Sequence, residues 1–203
     1  MKKRYILILV IISIISCSRN DKHEHVDKFV LYGYLGFDFI DSTKYIFDST
    51  KLNIKQYLEV EKDSLIKVCK GWSLSRFKTK REYFTIQPSS IIGLQDSIDK
   101  ILTIKIIHKD CLPDRKTSMY NGLFYTLYYR TTSQKEYFVH YIPNNLPDSL
   151  RKVHDYIIRI IRTSSSLNNK GFELNKVVSE DALNLFKICP PPPPPSLELI
   201  IRK

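Results

Sequence analysis

Glycine is scarce in this chain, with 6 residues in 203. No glycine-rich phosphate loop can be traced, neither GxGxxG nor a Walker A run, and there is no GxSxG nucleophile elbow. No HExxH pair is present to hold zinc. No CxxC pair supports a zinc ribbon or a thioredoxin-like redox centre. The sequence carries no internal repeat, which argues against solenoids and propellers. These absences point away from the common enzyme classes, and no cofactor or metal is expected.

What is present begins at the N-terminus. Lys2, Lys3 and Arg4 form a positive cap, and Tyr5 to Ser16 then runs twelve residues without a charge, nine of them Ile, Leu or Val. At a helical rise of ~1.5 Å that segment is about 18 Å long, well short of the ~30 Å hydrocarbon core. A positive n-region, a short apolar h-region and a small residue before a boundary describe a secretory signal peptide over residues 1–16.

The boundary, Ile14-Ile15-Ser16-Cys17, resembles the lipobox of bacterial lipoproteins. In that family an aliphatic residue stands three before the cut, a small residue stands just before it, and the cysteine becomes the new N-terminus. Ile14, Ser16 and Cys17 match those roles. The departures are Ile14 where leucine is commoner and a bulky Ile15. The resemblance covers residues 1–17 alone. It implies diacylglycerol on the Cys17 sulfur and a further acyl chain on its nitrogen. Two or more chains anchor a protein stably where one does not, at ~0.8 kcal/mol per buried CH₂. Residue 18 is Ser rather than the Asp that commonly retains such proteins in the inner membrane. By resemblance the expected site is therefore the outer membrane of the cell envelope, on either face.

The formal charge of the chain is +11, and loss of Lys2, Lys3 and Arg4 would leave +8 (11 − 3). A basic surface often meets nucleic acid, but an exported protein meets little of it. The expected partners are the membrane through the N-terminal lipid, and beyond it anionic lipid, glycan or an envelope protein. If Cys17 carries lipid, Cys69, Cys111 and Cys189 remain. One bridge with one free thiol, or three buried thiols, are both open readings in a disulfide-permissive compartment.

Residues 17–27 read as a polar tether, 28–189 as one α+β domain, and 190–203 as a polyproline run with a tail, SLELIIRK. The domain is expected to hold an antiparallel sheet with two to three packed helices. Phe29–Leu35 looks like a strand, and Lys51–Val60 is ambiguous between strand and helix. Ser89-Ser90 reads as a helix start, with Ile91, Leu94, Ile98, Ile101 and Leu102 on one face. Residues 123–142 hold two aromatic-rich runs around a polar turn, a β-hairpin. A helix is expected over about 147–163, with Leu150, Val153, Ile157, Ile160 and Ile161 inward, and another from Ser179 to about Ile188. The six prolines at 190–195 lack N–H groups and fix φ, which prescribes polyproline II.

Among chemistry-bearing residues, His23-Glu24-His25 reads as spacer rather than metal site, since zinc wants three or four preorganised ligands. His108, Asp110 and Cys111 are close in sequence, which is not triad geometry. His140 and His154 read as packed residues. The candidate binding surface is Lys67–Arg81, basic throughout and free of acids. There Lys70, Arg76, Lys78 and Arg81 interleave with Trp72 and Phe77, a pattern able to grip an anion or a glycan by charge and stacking. The sequence reading is thus a lipid-anchored, non-enzymatic binding or structural module. An immunity-type lipoprotein that neutralises a periplasmic toxin and an unrecognised envelope enzyme are the alternatives.

Overall fold

The computed structural model describes residues 24–41, 46–73, 79–104, 122–165 and 171–188. Six strands form one antiparallel sheet: β1 (Val26–Asp41), β2 (Ile46–Glu61), β3 (Ile66–Ser73), β4 (Thr79–Ile86), β5 (Phe124–Thr131) and β6 (Glu136–Tyr141). Their order across the sheet is β4-β3-β2-β1-β5-β6. Three helices cover it: α1 (Leu94–Thr103), α2 (Asp148–Thr163) and α3 (Lys176–Ile188). This is the single α+β domain the sequence leads one to expect.

Strand β1 is central because its residues are apolar in both phases. Phe29, Leu31, Leu58, Val68, Tyr125, Leu127 and Val139 face one side, where α1 brings Leu94, Ile98 and Ile101 and α2 brings Leu150, Val153, Ile157 and Ile161. Val30, Tyr32, Tyr34, Tyr57, Cys69 and Tyr128 face the other, under Val178 and Ala182 of α3. A one-residue slip would exchange the two sets, so the pleat and the two cores specify one another.

The hairpin over 123–142 forms as expected, with Tyr129 opposite Tyr137 and Tyr125 opposite Tyr141. So does the 147–163 helix, which Pro147 precedes at its N-cap. Lys51–Val60 resolves to strand, since Leu58 pairs Leu31 and Tyr57 pairs Tyr32 on opposite faces. Two helix starts differ from expectation. Ser89 and Ser90 lie in a 3₁₀ turn (Pro88–Ser90), where the Ser90 hydroxyl donates to the Gln87 carbonyl at 2.6 Å. Helix α1 begins after Gly93, whose φ of 75° is the left-handed conformation glycine adopts freely. Helix α3 begins three residues before Ser179, because Asn175 Oδ1 accepts the Val178 N–H at 3.2 Å.

Strands β1 and β2 are 16 residues each and outrun their neighbours. Pairing with β5 ends at Tyr34 and pairing with β3 ends at Gln56. A register shift at Gly33/Tyr34 marks the point where the two-stranded ribbon leaves the sheet. Gly33 is needed there: a Cβ would stand 2.7 Å from Tyr125 Cε1 and 3.2 Å from Gln56 Cβ. The Tyr125 ring is itself held, stacked on Tyr141 at 5.5 Å and donating to Gln56 Oε1 at 2.6 Å. Gly33→Ala should therefore lower stability in urea unfolding by about 1–3 kcal/mol through overpacking. A second change, Tyr125→Leu, should make that penalty smaller; equal penalties in both backgrounds would dismiss the contact.

Candidate functional site

The basic stretch lies on the two-stranded edge formed by β3 and β4. The pleat divides its members. Lys70 and Trp72 share the face of α2 with Val68, whereas Arg81 shares the opposite face with Cys69 and Tyr83. Lys70 Nζ lies 5.1 Å from the Phe84 ring centroid and donates to the Arg162 carbonyl at 3.2 Å. It thus satisfies one of the last carbonyls of α2, where a cation is favoured. Trp72 is 37% exposed, but Lys80 Nζ sits over its ring at 5.4 Å. A sugar stacking on that ring face would have to displace the ammonium group. Arg81 Nε donates to the Ile54 carbonyl at 3.4 Å, close to where the ribbon parts from β3. Arg76 and Lys78, like Cys17, His23, His108, Asp110, Cys111 and Cys189, lie outside the described residues.

Cys69 is a buried, unbridged thiol. Burial pushes its pKa up to about 11, so it is a packed apolar group rather than a nucleophile.

A polar cluster that sequence reading missed lies at the start of β1. His25 Nδ1 stands 2.9 Å from Asp99 Oδ2, and the Val26 N–H donates to Asp99 Oδ1 at 2.8 Å. Gln95 Nε2 donates to the Val26 carbonyl at 3.0 Å. On the other side, the Thr132 N–H donates to the His25 carbonyl at 2.9 Å, and the Ser133 hydroxyl donates to Glu24 Oε1. Glu24 and His25 are thus clamped between α1 and the β5–β6 turn, and Val26 already belongs to the sheet. Beside the clamp, Val60, Pro88, Ile91, Leu94, Gln95 and Asp96 line an open cleft of about 200 Å³.

Three further polar groups are buried between layers. Glu59 accepts from the Tyr57 hydroxyl at 2.5 Å and pairs with Lys28 and Lys67, each at 3.3 Å. Burial opposes its charge, but the hydroxyl and the two ammonium groups outweigh it and hold the carboxyl below the usual range. His140 Nδ1 lies 3.0 Å from Thr126 Oγ1, and Nε2 lies 3.1 Å from Asp181 Oδ2. That carboxylate oxygen is off the line of a hydrogen bond. The order Asp-His-Thr resembles a nucleophile with its base, yet Thr126 is 0% exposed and hydrogen-bonded to Tyr34. With no path from solvent to its hydroxyl, the arrangement fastens α3 to the sheet. His154 of α2 stands 2.9 Å from the Tyr141 hydroxyl with Tyr125 edge-on to its ring.

No family model matches the sequence, and no curated protein matches it. The reading of function rests on the chain itself.

Burial holds the His154 pKa down at about 4, so the folded protein keeps a neutral imidazole that the unfolded chain protonates near pH 6.5. Between those values the unfolded state binds the extra proton, so stability falls as pH drops from about 6.5 to 4. The shift corresponds to a loss of about 3 kcal/mol. Urea unfolding across that range should show the loss in wild type and a much flatter profile in His154→Gln. Parallel profiles would remove His154 as the cause.

Proposed function

We propose that the chain is a lipid-anchored protein of the cell envelope, attached through Cys17 to the outer membrane and working by binding rather than catalysis. The observation that carries this reading is the run from Lys2 to Cys17: positive cap, short apolar core, and Ile14, Ser16 and Cys17 in lipobox positions. Thioether formation at a cysteine and acylation of its freed nitrogen supply the several chains that stable anchoring needs. The clamp on Glu24 and His25 fits the reading, since the domain starts seven residues after the attachment point. The partner is of the kind a basic envelope protein meets: anionic lipid, glycan or another envelope protein.

Metabolic labelling with a clickable palmitate analogue tests the anchor, comparing wild type with Cys17→Ala. Label in wild type alone, in the outer-membrane fraction, is the expected result. Absence of label from both proteins would end the proposal.

A further inference from the structure

The clamp does more than start the fold. It fixes the place from which the tether leaves. We propose that the domain stands end-on to the bilayer that holds Cys17, with the β2–β3 turn at Leu65 resting on the phospholipid surface and Trp72 held clear of it. The inference deepens the lipid-anchor reading and rests on it.

Six residues separate Cys17 from Glu24, and the seven steps between them reach at most about 24 Å even if fully extended. At the end of that reach the chain is bound on two sides, to Asp99 and Gln95 of α1 and to Thr132 and Ser133 of the β5–β6 turn. A domain held so closely at one end presents that end to the lipid. The β2–β3 turn belongs to the same end, because Lys28 pairs Glu61 on β2, and the Lys62 N–H donates to the Asp27 carbonyl at 3.0 Å. On this turn Leu65 is 44% exposed, a large apolar side chain facing outward. Lys62 and Lys135 are exposed at the same end, but so are Glu24, Asp63 and Glu136, so acids are in slight excess among the exposed groups. Charge therefore does not draw this end to the bilayer, and the short reach from Cys17 with apolar contact of Leu65 at the headgroup boundary is the fitting interaction.

Strand β3 runs away from this turn. Trp72 lies seven residues beyond Leu65, about 23 Å at the rise of a strand. It is also the one tryptophan of the chain, which gives the protein its own depth gauge.

The experiment reconstitutes the full lipidated protein into vesicles of phosphatidylethanolamine and phosphatidylglycerol carrying a lipid spin-labelled at the headgroup. Wild type is compared with the double variant Trp72→Phe/Leu65→Trp, which moves the indole to the turn. The double variant should lose most of its emission while wild type keeps most of its own. Equal quenching, or stronger quenching in wild type, would overturn the end-on arrangement. Vesicle flotation is read on the same samples. Failure of wild type to float would remove the anchor and the proposal with it, whereas flotation with the wrong quenching pattern would remove the orientation alone. Leu65 is exposed, so the double variant should fold, and circular dichroism matching wild type checks this. Loosening the clamp with Asp99→Ala in both backgrounds should bring the two quenching levels together. Unchanged levels would mean that the clamp does not set the orientation.

Discussion

The structure depends on strand β1 being buried on both faces and paired on both edges. From Phe29 to Leu31 and on through Tyr32 and Tyr34, each side chain is at most 2% exposed. A strand of this kind has no water-facing side, so its backbone groups must be met by neighbours left and right. Strands β2 and β5 meet them, and both faces then need cover. Helices α1 and α2 supply it on one side and α3 on the other. Gly33 is the necessary interruption. Its missing side chain admits the Tyr125 ring, and the register shift beside it lets β1 and β2 leave the sheet as a ribbon.

Helix α3 shows how polar burial completes what apolar burial begins. Its fully buried apolar residues are the small Val178 and Ala182, which bury modest area. The remaining attachment is polar. The Asn175 N–H donates to the Tyr57 hydroxyl at 3.1 Å, and that hydroxyl donates to Glu59. Asp181 faces His140 at the other end of the contact. Taking Glu59 out of water costs several kcal/mol by itself. Lys28, Lys67 and Tyr57 together offset that cost, and the tyrosine extends the network to the residue that caps α3. The buried charge thus fixes where α3 starts rather than adding a large surplus of stability.

Local periodicity made the hairpin at 123–142 and helix α2 legible, since each carries its pattern within one segment. Leu150, Val153, Ile157 and Ile161 are buried as their spacing requires. The ribbon of β1 and β2 was harder to read. Asp41-Ser42-Thr43 and Asp48-Ser49-Thr50 are turn-like, yet Asp48 pairs with Asp38 inside a strand. Long-range pairing overrode local preference there. The start of α1 was misplaced because two serines look like caps, while the cap position went to Gly93. At the candidate surface, interleaved cations and aromatics suggested one patch. Strand alternation sends Lys70 and Arg81 to opposite faces, which a linear reading does not show until register is known. The clamp escaped because its partners are 73 and 74 residues apart in the chain.

Charge is distributed in keeping with this architecture. Around the start of β1, acids and bases are interleaved: Arg130 with Asp27 at 2.7 Å, and Lys28 with Glu59 at 3.3 Å and Glu61 at 3.1 Å. These pairs sit across β5, β1 and β2 and hold those strands in register. The basic surplus falls elsewhere. Exposed Lys152, Arg159 and Arg162 line the outer side of α2, and Lys70 and Lys80 lie on the same face of the sheet. The field of the described residues is therefore uneven: acids prevail around the start of β1, and the bases along the α2 flank act on whatever approaches from that side.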